Sequence, residues 1–235
     1  MLITQTGLAE SRERAQALIL AGKVRVAGET VRSPARAVSD DAAIAVDAEP
    51  GYASRGALKL VPALDRFGVD PKDRVCADIG ASTGGFTDVL LRRGASKVYA
   101  VDVGRGLLHW RLRQDPRVEV IERVNARNLE SFGEPVSLIV IDVSFISLEK
   151  VLPAVLRAAP QAEVVALFKP QFEVGRAQVG KGGIVRDASA IAGALSRFRE
   201  WCGDNGYDVI GDAPSEVAGA DGNREVFVHL RPEAG

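Results

Sequence analysis

Residues Val75-Cys76-Ala77-Asp78-Ile79-Gly80-Ala81-Ser82-Thr83-Gly84-Gly85-Phe86 constrain the fold of this chain more than any other stretch. A short apolar run reads as a buried strand and breaks into small residues. A helix then starts near Gly85, with Phe86, Val89 and Leu90 on one face. A strand, a glycine-rich turn and a helix N-terminus together let backbone approach a ligand closely. The next apolar run, Lys97 to Asp102, ends in a carboxylate at about the spacing where nucleotide folds place a ribose-gripping acid.

Those features suit either a dinucleotide or S-adenosylmethionine. The turn reads G-x-S-x-G-G, so Ser82 stands where the dinucleotide fingerprint has the glycine that admits a pyrophosphate. Asp78 just ahead of the turn would repel a pyrophosphate but suits a methionyl ammonium. The sequence therefore favours S-adenosylmethionine as cofactor. The competing account is a strand-turn-helix with no ligand, which the pair Asp78 and Asp102 argues against.

With 235 residues, 46% of them apolar, the chain holds one sizeable domain and a small appendage. A net charge of −1 gives no global argument for a nucleic-acid partner, so any such partner must be argued from local patches. Cys76 and Cys202 lie far apart in apolar surroundings and read as buried thiols in a reducing compartment. Neither His109 nor His229 stands at metal-ligand spacing from a cysteine, so no metal site is expected. No run is long and apolar enough to cross a bilayer and no signal peptide opens the chain, so a soluble cytoplasmic protein without a membrane partner is expected.

Residues 1–48 differ in kind from the rest. Gly7-Leu8-Ala9-Glu10-Ser11-Arg12 reads as a helix end, a turn and a Ser11 cap on a second helix. That helix turns Ala15, Leu18 and Ile19 inward and stops at Gly22. Lys23-Val24-Arg25-Val26 and Ala43-Ile44-Ala45-Val46 alternate like small half-buried strands. From Arg12 to Arg36, six basic residues face two acids. This is either an ordinary solvated surface or a phosphate-binding one. Gly7-Leu8-Ala9, Ser11-Arg12, Gly22-Lys23-Val24, Gly28 and Val31 make the segment resemble the S-four-type RNA-binding module. That pattern usually begins a turn or two of helix earlier, so a module truncated at its start is expected. The resemblance implies RNA contacts from Arg12, Arg14, Lys23 and Arg25.

Asp47-Ala48-Glu49-Pro50-Gly51 is a polar, helix-breaking boundary. A linker is expected over 49–58 and a second domain over 59–235. Leu58, Leu60, Val61, Leu64 and Phe67 form an apolar helix face, with Lys59 early in that helix. A cation there opposes the macrodipole unless it has a specific partner, so spacing alone makes Lys59 a solvated charge. Further strands are expected at Val118-Glu119-Val120-Ile121, at Ser137 to Ile141 and at Glu163 to Phe168. Alternation with helical stretches indicates a parallel sheet covered on both faces, binding its ligand beyond the carboxyl ends of the strands. Asp78, Asp102, Asp142 and Lys169 all fall at such ends. Tyr207 to Ile210 and Glu225 to Leu230 are joined by too short a link for a parallel crossover and should form an antiparallel hairpin. A parallel sheet of seven strands with its last strand reversed is the α/β fold of class I S-adenosylmethionine-dependent methyltransferases. The glycine-rich loop from Gln171 to Gly183 is either a mobile substrate-facing lid or a plain surface loop.

Taken together, Ser54-Arg55-Gly56 to Lys59-Leu60, Asp78 to Phe86, Tyr99 to Gly104, Asn125-Ala126-Arg127, Ile141 to Leu148, Lys169 to Glu173 and Gly180 to Gly183 closely resemble the TlyA family. Its members are often labelled hemolysins and are ribosomal-RNA methyltransferases with an FtsJ-like catalytic domain. The resemblance implies 2′-O-methylation of ribose, with cytidines of ribosomal RNA as the substrate class and ribosomal subunits as partners. It implies a catalytic tetrad of Lys59, Asp142, Lys169 and Glu225, which replaces the solvated reading of Lys59. A lysine acting as base must be neutral, and burial or a second cation nearby favours that form. For the cofactor, Asp78, Gly80, Ser82, Gly84 and Gly85 are expected at the methionyl end. Asp102 is expected on the ribose hydroxyls and Asn125 near adenine. Phe145 is expected near the cofactor or incoming base, with a core position as the alternative. Arg55 and Lys181 are expected to contact RNA, and arginines 105, 111, 113, 117, 123 and 127 to divide between ion pairs and an RNA track. Three alternatives stand beside this reading: a base N-methyltransferase on RNA, a membrane-active hemolysin, and a non-catalytic RNA-binding assembly factor.

Overall fold

The computed structural model describes the chain except for Met1, Gly7, Glu10, Ala21, Asp40, Asp41, residues 47–50, Ala220, Asp221, Ala234, Gly235 and the side chains of Arg14 and Ala17. The expected turn residues Gly7 and Glu10, the boundary residues 47–50 and the Arg14 contact therefore lie outside the described residues. The chain divides into two compact units, Met1–Gly51 and Tyr52–Gly235.

In the first unit, helices α1 (Leu2–Gln5) and α2 (Arg12–Leu20) precede strands β1 (Val24–Val26), β2 (Glu29–Val31) and β3 (Ile44–Val46). The strands form an antiparallel sheet of order β2-β1-β3. Ala27 and Gly28, with φ of 49° and 85°, close the β1–β2 hairpin in two residues, a turn whose hand matches the strand twist. Ile3, Ala9, Ala15, Ile19, Val24 and Val31 make a small core. Strand β2 was not expected, because Glu29-Thr30-Val31 carries a single apolar residue and reads as loop.

The second unit begins with Tyr52 to Gly56, residues expected within the linker. They pack on the domain instead: the Ala53 N–H donates to Asp88 at 2.9 Å, and the Arg92 guanidinium lies 4.7 Å from the Tyr52 ring centre. There follow α3 (Ala57–Phe67), β4 (Val75–Ile79), α4 (Gly85–Arg92), β5 (Lys97–Asp102), α5 (Trp110–Arg113), β6 (Val118–Glu122), β7 (Leu138–Ile141), α6 (Leu148–Ala158), β8 (Glu163–Phe168), α7 (Pro170–Glu173), α8 (Ala188–Asp204), β9 (Tyr207–Pro214) and β10 (Val226–Pro232). The sheet order is β6-β5-β4-β7-β8-β10-β9. Strands β4 to β8 pair in parallel, and β10 runs antiparallel to both β8 and β9. The hairpin and the reversed strand match expectation. The insertion of β10 between β8 and β9 is a feature that local spacing does not encode.

Strand alternation divides the core into two layers. Leu138 and Val140 of β7 pack with Leu60 and Leu64 of α3 and with Val89 and Leu90 of α4. Ile139 and Ile141 pack on the other face with Val151 and Val155 of α6 and Phe198 of α8. Because β7 is buried on both faces it reads as a continuous apolar run, as a central parallel strand must.

Helix α4 starts at Gly84, whose φ is 93°. A Cβ there would lie 2.3 Å from Leu112 Cδ1 and 2.7 Å from Leu108 Cδ1, and a Cβ at Gly85 would lie 2.3 Å from Ser54 Oγ. Both glycines are thus demanded by the approach of neighbouring segments. Gly84→Ala should combine a strained backbone with overpacking, about 2–4 kcal/mol in all. Gly206 also has positive φ, but a Cβ there would meet no atom within 4 Å, so Gly206→Ala should carry the backbone cost alone. That cost is about 1 kcal/mol. Urea denaturation of the two variants should rank them in that order; equal losses would refute the packing role of Gly84.

Candidate active site

The strand-end residues converge because they share one parity. In β4, Ala77 and Ile79 face the α6–α8 layer while Cys76 faces the α3–α4 layer, which puts Asp78 on the α3–α4 side. The same count puts Asp102 of β5, Asp142 after β7 and Lys169 after β8 on that side. Antiparallel pairing of Val226 with Phe168 continues by one step to set Glu225 opposite Lys169. Directly opposed residues project to the same face, with Cα atoms about 5 Å apart.

Two ion pairs result. Lys169 Nζ lies 2.6 Å from Asp142 Oδ1 and donates to Ser144 Oγ at 3.0 Å. Lys59 Nζ donates to Glu225 Oε2 at 2.6 Å. Lys169 and Glu225 are buried, at 8% and 3% exposure, so each charge depends on its partner. Lys59 therefore has the specific partner that its place at the start of α3 requires, and the solvated reading of it is set aside. The loop before β10 closes around Glu225: a Cβ on Gly219 would stand 2.6 Å from Glu225 Oε1. Asn223, also buried, accepts the Val185 N–H at 2.9 Å and donates to the Gly183 carbonyl at 2.9 Å. It thereby fastens the Gly180–Gly183 loop to the segment that carries Glu225.

Beside the Lys169–Asp142 pair lies a cavity of about 760 Å³, walled by Gly80, Ser82, Asp102, Asn125, Asp142 and Phe145 among others; Lys59, Lys169 and Glu225 stand behind that wall and do not line it. That volume suits a small-molecule cofactor. Gly80 has φ of 86°, and a Cβ on it would sit 2.5 Å from the Asp142 carbonyl, so only glycine lets the two strand ends pass so closely. Asp102 accepts the Ser82 N–H and the Gly104 N–H, one on each oxygen, both at 2.7 Å. Ser82 holds its place with φ of 49°. Asn125 caps a short turn by accepting the Arg127 N–H at 3.1 Å. Apolar Val103, Leu107 and Ala126 complete that part of the wall. A carboxylate beside an apolar slot fits a nucleoside with free ribose hydroxyls.

Asp78, Gly84 and Gly85 do not line this cavity. The two glycines serve packing, as their neighbours Leu108, Leu112 and Ser54 show. Asp78 is fully buried; its Oδ2 accepts both the N–H and the hydroxyl of Thr87, while its Oδ1 has no hydrogen-bond partner. Burial raises its carboxyl to about 7, with Asp142 and Asp102 adding like charge against the lowering effect of Thr87. Such a carboxyl beneath the turn is suited to a cationic ligand group.

Phe145 is 91% exposed at the cavity mouth, so the core alternative for it is excluded. Its φ is 65°, and its ring packs 5.4 Å from that of Phe172. Arg12, Arg25, Arg55 and Lys181 are exposed, and Lys23 is half-buried. Of the arginines on the second unit, Arg111 pairs with Asp88, Arg113 with Glu122 and Arg117 with Asp115. Among the described residues, no three His, Cys, Asp or Glu side chains are placed to hold a metal ion. Sequence reasoning gave no role to Ser144, Phe172, Glu173 or Asn223. All four stand within about four positions of a predicted site residue, which is the signal that could have drawn attention to them.

Comparison with known proteins agrees with this geometry. Residues 52–232 match the FtsJ-like methyltransferase family and residues 1–44 match the S4 domain. The chain is 49% identical to the 16S/23S rRNA (cytidine-2′-O)-methyltransferase TlyA of Mycobacterium tuberculosis, covering 98% of this chain and 88% of that protein. It is 44% identical to Hemolysin A of Brachyspira hyodysenteriae, covering 95% of each. A solved structure carrying a hemolysin name, from Streptococcus thermophilus, superposes with a TM-score of 0.76 at 43% identity, covering 100% of this chain and 87% of that one.

The Asp78 carboxyl makes a pH test available. Because its folded pKa is raised from 3.8 to about 7, its contribution to stability is complete below pH 4 and is lost as pH rises to 7. The limiting slope is about 1.4 kcal/mol per pH unit. In cofactor-free protein, the stability of wild type relative to Asp78→Asn should fall between pH 4 and pH 7 in urea denaturation. A constant difference would show that Asp78 does not titrate in that range.

Proposed function

The chain belongs to the TlyA family of FtsJ-like methyltransferases, and from that premise we propose that it methylates the ribose 2′-hydroxyl of cytidines in ribosomal RNA. The family's methyl donor is S-adenosylmethionine. Bound in the cavity, S-adenosylmethionine supplies a sulfonium methyl group already activated for transfer. Asp102 would hold its ribose hydroxyls, Gly80 and Ser82 would line its methionyl end, and Asn125 would face its base with Val103 and Ala126. Asp78 would act from beneath the turn, as a carboxylate favouring positive charge above it.

With an activated methyl, the protein's remaining tasks are to align the ribose hydroxyl and to remove one proton. The observation that carries this reading is the Lys169 amine, held 2.6 Å from a carboxylate that itself walls the cavity. Lys169 is the proton acceptor in this reading, and a lysine must arrive neutral to take a proton. Lys169 is buried, and Lys59 reaches Glu225, the residue opposite it across β8 and β10. Asp142 and Ser144 fix the direction of the amine, while Glu225 fixes Lys59. No metal is needed for this step.

The N-terminal unit would bring the RNA, with Arg12, Lys23 and Arg25 as phosphate contacts and Arg55 and Lys181 as further contacts on the second unit. Such contacts give sequence-independent affinity that falls steeply with salt.

Transfer of labelled methyl to isolated ribosomal subunits, followed by nuclease digestion and mass analysis, should place the label on cytidine ribose. Label on a base would overturn the ribose assignment. Lys169→Ala should lower transfer by about 100-fold or more with S-adenosylmethionine binding retained. Near-normal turnover in that variant would remove Lys169 from the mechanism. Arg25→Ala should weaken RNA binding uniformly across sequences and reduce the slope of log affinity against log salt by about one; an unchanged slope would exclude Arg25 as a phosphate contact.

A further inference from the structure

One turn of chain grips the whole loop that follows β7. Lys169 holds Asp142 and Ser144, the Phe172 ring packs on Phe145, and Glu173 Oε1 accepts the Leu148 N–H at 2.8 Å. Ser147, next to Leu148, caps α6 by accepting the Glu149 N–H at 3.2 Å. The contacts run in the same order on both segments, from the strand ends outward. Asp142, Ser144, Phe145, Ser147 and Phe172 all wall one cavity.

The loop has a reason to need holding. Phe145 combines a positive φ with 91% exposure, a bulky residue in a conformation that costs about 1–3 kcal/mol and persists only where its surroundings impose it. Solvent offers it no packing to offset that cost. Its restraints are Phe172 and the two ends of the loop, one held by Lys169 and the other by Glu173.

The first N–H groups of a helix have no partner within it, and a capping box meets only the N-cap N–H through the side chain of the third helical residue. In α6 that position is Lys150, and the N–H of the first helical residue, Leu148, is met from outside by Glu173 of α7, on the segment that bears Lys169. Burial, with Glu149 adding like charge, lifts the Glu173 carboxyl to about 7, while the Leu148 N–H and Ser147 lower it. A half-buried carboxyl near another acid is a costly group to keep for capping alone.

We infer that Glu173 is a positioning residue for methyl transfer: by accepting the Leu148 N–H it locks the Asp142–Ser147 loop to the Lys169 segment and so holds Phe145 in its strained, exposed conformation. It touches no reacting atom. Its effect falls on alignment, hence more on kcat than on cofactor affinity. The inference rests on the methyltransferase reading above.

The test compares wild type with Glu173→Ala, Glu173→Gln and Glu173→Asp in methyl transfer to ribosomal subunits, alongside S-adenosylmethionine binding and amide hydrogen exchange. Wild type must transfer methyl; if it does not, the functional reading fails and not this one. Glu173→Ala should lower kcat about tenfold or more with KM for S-adenosylmethionine within about threefold, and faster exchange should be confined to residues 145–150. Glu173→Gln retains an acceptor oxygen and should recover kcat to within about threefold of wild type. Should Glu173→Ala fail to fold, Glu173→Asp, which keeps the charge but falls short of Leu148, should show the same kcat loss. A wild-type kcat in Glu173→Ala, or in Glu173→Asp where that replaces it, overturns the proposal. So does a Glu173→Gln enzyme as slow as the alanine variant, or a loss expressed in cofactor KM instead of kcat.

Discussion

The site depends on the register between β8 and β10. Pairing Val226 with Phe168 sets Glu225 across from Lys169, on the sheet face covered by α3, from which Lys59 arrives. A slip of one residue would send Glu225 to the α6–α8 face and leave Lys59 without its carboxylate. Bringing charges out of water is unfavourable unless each is matched, so the pairs Lys169–Asp142 and Lys59–Glu225 are as much a condition of this packing as its product. Insertion of β10 between β8 and β9 is what brings Glu225 beside Lys169 and within reach of Lys59.

Much of this was legible in the sequence, for identifiable reasons. Strands β5, β7 and β8 are buried on both faces, so each appears as an apolar run ending in one polar residue, and β4 differs only in carrying Asp78 one position before its end. The short link before β10 excluded a parallel crossover. What escaped notice depended on contacts distant in sequence. Gly84 and Gly85 look like ligand-facing glycines of a binding turn, yet their missing side chains make room for Leu108, Leu112 and Ser54. Nothing local distinguishes a glycine that admits a ligand from one that admits a neighbouring helix. Strand β2, with one apolar residue, had no pattern to detect.

The tetrad was legible through family resemblance, but its division into two pairs was not. Residue spacing says nothing about which amine meets which carboxylate, and Lys59 on its own looked like a surface charge. Its partner lies 166 positions away, where only the assembled sheet can deliver it. Ser144, Glu173 and Asn223 were missed for the opposite reason. They lie inside motifs whose neighbouring charged residues already seemed to account for the chemistry.

The two ends of the sheet show how the fold separates stability from reactivity. At the amino ends, Glu163 of β8 receives His229, Arg74 and Arg231, a network that spans β4, β8 and β10 and holds its carboxyl well below the usual range. Every oxygen there has a cationic or donor partner, as expected of polar groups kept for structure alone. At the carboxyl ends the matching is incomplete: Asp78 Oδ1 and Gln171 Oε1 are buried without hydrogen-bond partners, and Phe145 stands strained in solvent. Leaving polar atoms and strain at the rim that faces the cavity is the arrangement expected where a ligand completes the network.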